Sequence, residues 1–122
     1  MKLYDKLFPK LSIIMPVHNE GIDFVSDTVK SIKDSIDISY EIIIIDDHSD
    51  IPVSIPDVRI VRHDSNKGVG AAFDTGIKFA RSRNIFLMGC DVRFVKNQWA
   101  SKIVAEIKKH PNPTLLDRPQ YQ

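Results

Sequence analysis

The sequence predicts an α/β domain: a three-layer α/β/α sandwich on a mostly parallel central sheet. Three observations predict it. Short apolar runs alternate with segments of helical periodicity, the pattern of strands joined by crossover helices. The run Ile42-Ile43-Ile44-Ile45 has no polar face, so it reads as a strand covered on both sides, as in a parallel sheet. Three of the apolar runs also end abruptly in polar groups: Val17 into His18-Asn19-Glu20, Ile45 into Asp46-Asp47-His48, and Met88 into Gly89-Cys90-Asp91. In a parallel sheet those ends share one edge, the edge where open α/β folds bind ligands.

The first predicted strand is Leu11 to Val17, finishing near Pro16, which cannot donate to a ladder. Apolar residues at Ile22, Val25, Val29, Ile32 and Ile36 then follow helical spacing, with Asp23 at the N-cap position. A second strand begins near Tyr40 and includes the isoleucines. Residues 49–57 contain Pro52 and Pro56, which leaves room for a turn but not a helix. Val58 to Arg62 is a short strand, and Asp64 to Gly68 a turn cluster. Helical periodicity returns at Val69, Ala72, Phe73, Ile77 and Ala80, with Gly76 inside it. Ile85 to Met88 is a fourth strand. A last helix is expected from about Asn97 to Lys109, with Trp99, Ile103 and Ile107 on one face. Pro111 and Pro113 stop it, and residues 114–122 read as a loose tail.

With 122 residues, the chain is long enough for one domain with a core and too short for two. Seventeen basic and sixteen acidic residues give a net charge of +1, without the electrostatic footprint of a nucleic-acid binder. No apolar run approaches the roughly 20 residues that span a bilayer. Residues 1–10 form an extension with lysines interleaved among its apolar residues, unlike a signal peptide. One cysteine, Cys90, allows no intrachain disulfide; together these features give a cytoplasmic expectation.

Acids gathered at one sheet edge either cap turns and helices or hold a ligand, and a divalent cation with substrate phosphates would meet their charge. Both readings stay open for Asp46, Asp47 and Asp91. Asn66-Lys67-Gly68-Val69-Gly70 fits neither common phosphate-loop pattern and reads most simply as a tight turn. His18 and His48 follow strand ends, yet no metal-ligand spacing joins them. His63 and His110 read as solvated, and Cys90 as a small filler beside the site.

Taken together, Ser12 to Glu20, Glu41 to Ser49, Asn66-x-Gly68-x-Gly70-x-Ala72 and Phe86 to Asp91 follow an order and spacing that resembles the family 2 glycosyltransferases. The resemblance covers about residues 10 to 110. It implies a GT-A, Rossmann-like fold and transfer of a sugar from a nucleotide-diphosphate donor to an acceptor. Pro16, Val17, His18, Asn19 and Glu20 match the loop that wraps the base and ribose. Asp47 matches the acid that pairs with the base, uracil in well-studied members, so a UDP-sugar is the implied ligand. Asp46 supports that loop, and Asn66 and Gly68 shape the donor pocket. Cys90 counts with the nucleotide-binding set. Asp91 matches the second acid of the D-x-D signature, which implies a Mg2+ or Mn2+ cofactor.

Gly89 stands where that signature has its first acid, and Phe73-Asp74 where the family often has Arg-Asn. The acceptor half and its general base lie beyond the D-x-D region in the family. Only one helix and a short tail follow here, so no catalytic base is among the readable motifs. The chain therefore reads as a truncated donor-binding half, completed by a partner chain or a missing C-terminal region. The alternative is a non-catalytic module that kept the fold as a binding or scaffold unit. A nucleotidyltransferase is the third reading, but no G-x-G-x-R-like loop supports it.

Overall fold

The structure, a computed structural model, describes residues 1–109. Its elements in order are α1 (Leu3–Leu7), β1 (Leu11–Val17), α2 (Ile22–Ser35), β2 (Tyr40–Asp46), β3 (Arg59–Arg62), α3 (Val69–Phe79), β4 (Ile85–Leu87) and α4 (Trp99–Lys109). The four strands form one sheet in the order β3-β2-β1-β4, and every pairing is parallel. His110, the stop at Pro111 and Pro113, and the tail at 114–122 lie outside the described residues.

Two cores cover the sheet, one per face. Leu11, Ile13, Met15 and Val17 join Ile42 and Ile44 against α2 and α4, while Ile14, Ile43 and Ile45 pack with Ala72 of α3. The isoleucine run feeds both faces alternately, as a strand period of two requires. All four isoleucines are at most 2% exposed, which explains why the run lacks a polar face. Gly76 has an equally direct cause. A Cβ at that position would lie 2.2 Å from Ile14 Cγ2, so only glycine lets α3 approach β1 this closely.

Several boundaries differ from the sequence expectation. Gly21, with φ 91°, stands at the start of α2, and Asp23 lies inside the first turn. The left-handed backbone there suits glycine, and no side chain caps the helix. β1 continues through Pro16 to Val17. Ile14 O faces β4 and Val17 O faces β2, so alternation turns Pro16 towards the β4 side. The β4 ladder has ended at Leu87, and the missing N–H costs no pairing. Val58 precedes β3, and Met88 follows β4. The buried centre of α4 is Ala100 and Val104, flanked by partly buried Trp99, Ile103 and Ile107. α1 has no counterpart in the sequence reading, because five residues are too few to show a helical period.

This topology fixes where a ligand can enter. The chain goes from β1 through α2 to β2 and β3, then crosses by α3 on the opposite face to β4. Its direction across the sheet reverses between β1 and β4, and the strands open a crevice at such a reversal.

Candidate functional site

The crevice is a cleft of about 410 Å³. Pro16, Val17 and His18 line it from the end of β1, and Asp47 from the end of β2. Val69 at the start of α3 and Gly89, Cys90 and Asp91 after β4 complete it, with Glu20 and Phe24 at the side. Seven of the residues singled out in the sequence thus share one cavity. Asn19, Asp46, Asn66 and Gly68 do not line it: Asn19 and Asn66 face His18, Gly68 donates to Asp47, and Asp46 holds the neighbouring 49–57 connection instead.

Asp46 is a fully buried tie point. Its carboxylate accepts the Ser49 amide at 2.9 Å, the Val53 amide at 3.0 Å and the Arg62 guanidinium at 2.7 Å. Burial pushes the carboxyl up, but the two amides, the Ser49 side chain and Arg62 outweigh it and hold it below the ordinary 3.8. Asp46 thereby folds the proline-punctuated 49–57 connection back on β2.

Asp47 does the same for the next turn. Its Oδ1 accepts the Lys67 amide at 2.9 Å and His63 Nδ1 at 2.7 Å, and its Oδ2 accepts the Gly68 amide at 2.8 Å. Burial again opposes ionisation, yet the amides and His63 keep the carboxyl below its usual value. A carboxylate offers about four lone-pair sites. Three are taken among the described residues, which leaves one on Oδ2.

His63 is therefore not a solvated residue. It is 7% exposed, and its other nitrogen, Nε2, lies 2.8 Å from Thr75 Oγ1 in α3. Charged neighbours Arg62 and Asp64 hide this in the sequence. One signal could have found it: His63 continues the face of Val61, which packs in the α3-side core.

The first loop is knitted to both turns. His18 Nδ1 donates to the Asp47 carbonyl at 2.8 Å, since a carbonyl can only accept. Its Nε2 faces the side-chain amides of Asn19 and Asn66, each at 3.4 Å. The His18 amide donates to Glu20 Oε2 at 2.8 Å. Asn19, at φ 61°, donates its amide to Ser49 Oγ at 3.0 Å and accepts the Asp50 amide at 2.8 Å. Ser49 is 3% exposed; the sequence reading quoted it without a role, and it joins Asn19 to Asp46 beside the cleft.

The last wall is anchored to α2. Arg93 donates to the Cys90 carbonyl at 2.9 Å and to the Phe24 carbonyl at 2.9 Å. Its guanidinium stacks over the Phe24 ring at 4.7 Å, and Thr28 also bonds the Cys90 carbonyl. Burial, then the nearby Glu20 charge, pushes the Cys90 thiol up to about 11, so it stays a protonated, inert wall residue. Asp91 is exposed at the mouth. A side chain at Gly89 would point at it, since a Cβ there would lie 2.6 Å from Asp91 Oδ1. Among the described residues, no three His, Cys, Asp or Glu side chains converge as a metal site. His18 and His48 do not form one, and His48 Nδ1 instead faces the His63 carbonyl at 3.3 Å. No described helix is long and apolar enough to cross a membrane.

The family model described as Glycosyl transferase family 2 matches residues 12–121. Among solved structures, S. aureus TarS 1–349 superposes with a TM-score of 0.67 and 17% identity over 83% of this chain and 33% of that one. TarS 1–349 in complex with UDP-GlcNAc gives 0.68 and 17% identity, over 83% and 32%. This chain thus spans about a third of the length of those structures. At that identity the likeness is one of fold. No curated protein matches the chain significantly.

Proposed function

The chain belongs to glycosyl transferase family 2, and from that membership we propose that its cleft binds the nucleoside diphosphate of a nucleotide-sugar donor, a UDP-sugar by preference. One observation carries the reading. The cleft lies at the reversal between β1 and β4 and is walled by the four sequence segments that resemble the family's donor motifs. That a TarS structure of this fold holds UDP-GlcNAc accords with it.

In this reading the His18–Glu20 loop embraces the nucleoside. The free lone-pair site of Asp47 accepts a base N–H, while its other bonds hold the Lys67–Gly68 turn. Asp91, exposed at the mouth of the cleft, would hold a Mg2+ or Mn2+ ion. The residues present fit such an ion only together with the donor, because magnesium takes one or two carboxylates and completes its shell with phosphate and water. When bound, the cation supplies neutralisation of charge on the leaving diphosphate. Sugar transfer to an acceptor, and a partner or further chain that brings the acceptor site, belong to the same proposal.

A nitrogen-15 NMR titration of the chain with UDP tests the placement. Shifts should concentrate at His18–Glu20, Lys67–Val69 and Gly89–Asp91. Shifts spread over the α4 face instead would refute it. A second reading, a binding module that does not transfer sugar, is favoured by one feature, Gly89 in place of the first acid of the signature.

A further inference from the structure

His63 belongs to no motif that the sequence singled out, yet it closes a ring of contacts around the cleft. Asp47 follows β2, His63 follows β3, Thr75 lies in α3, and Lys67 and Gly68 lead into α3. Nδ1 meets Asp47 at 2.7 Å and Nε2 meets Thr75 at 2.8 Å, while Asp47 holds the Lys67 and Gly68 amides. α3 is therefore tied to the end of β2 twice, once at its entry and once through the imidazole.

Resting on the donor-site reading above, the geometry points to His63 as the positioning residue of that site: it aims the Asp47 carboxylate and so holds the Lys67–Gly68 turn against the cleft. The chemistry assigns its proton. An ionised carboxylate only accepts, so Nδ1 carries the hydrogen. Nε2 lies 2.8 Å from Thr75 Oγ1, whose hydroxyl donates to the Ala71 carbonyl at 3.0 Å. With His63 gone, the Asp47 carboxylate loses the one side chain among the described residues that bonds it and keeps the amides of the turn it is meant to hold. Partners that orient a ligand-binding group from behind are worth about ten- to a hundredfold in affinity where they have been measured at metal sites.

Two isosteric variants of the full 122-residue chain test this. The amide of His63→Asn places an N–H near the Nδ1 position, and that of His63→Gln places one near Nε2. With UDP as the probe, His63→Asn should bind within about threefold of the parent and His63→Gln about tenfold more weakly. The Lys67 and Gly68 amides should stay protected from exchange only in the parent and His63→Asn. Equal affinity and equal protection in the two variants would overturn the inference. The parent chain alone supplies a readout that needs no variant: long-range nitrogen-15 correlation should show a hydrogen on Nδ1, and a ring protonated only at Nε2 contradicts the assignment. If the parent binds no nucleotide but shows the protected amides and this tautomer, the donor-site reading fails while the clamp stands.

Discussion

Arg62 reaches from the end of β3 to Asp46 at the end of β2, with Nη1 2.7 Å from Oδ2 while Nη2 donates to the Ser49 carbonyl at 2.9 Å. The carboxylate is fully buried, whereas the arginine side chain keeps a third of its surface in water. Removing the acid strands the guanidinium and two backbone amides at once. Asp46→Ala should therefore cost about 3 kcal/mol of stability by urea unfolding. A loss under about 1 kcal/mol would mean that water replaces those bonds without penalty.

Asp46 and Asp47 together set an acid limit on the fold. Both carboxyls lie below 3.8 in the folded chain despite burial, because amides, Arg62 and His63 favour the charged form. A depressed folded value means the unfolded state takes up protons first as pH drops. Their contribution is present in full above the unfolded value and is lost as pH falls through the folded one. Stability should decline steeply below about pH 4. Asp47→Asn should flatten that decline, and an unchanged acid limb in this variant would contradict the assignment.

Gly76→Ala sets helix propensity against packing. Alanine favours a helix interior over glycine by up to about 1 kcal/mol. Here the new methyl would meet Ile14 Cγ2 at 2.2 Å, and forcing α3 off β1 typically costs about 1–3 kcal/mol. Packing should win, with a lower melting temperature. A stabilised variant would show that the α3–β1 contact is looser than the structure has it.

These effects also mark what the sequence made legible. The isoleucine run declared a doubly covered strand because both sheet faces are packed, and the polar residues after it declared the ligand edge because parallel strands all end there. The roles of Asp46 and Asp47 were less visible. For both, capping a turn and holding a ligand stayed open as readings, and the fold supplies their donors from residues 3 to 21 positions further along. Burial of His63 and the Gly21 start of α2 were hidden for a related reason. Each depends on where a neighbouring element arrives, and local charge or spacing does not record that.

The edge between β1 and β4 is proposed above to bind a nucleoside diphosphate through a cation at Asp91. Calorimetric titration of the full chain with UDP, with and without Mn2+, tests it most directly. Saturable binding that Mn2+ strengthens is expected, with loss of the Mn2+ increment in Asp91→Ala while the fold is retained. No heat of binding up to about 1 mM UDP with Mn2+ present, or an Mn2+ increment that survives Asp91→Ala, would contradict it.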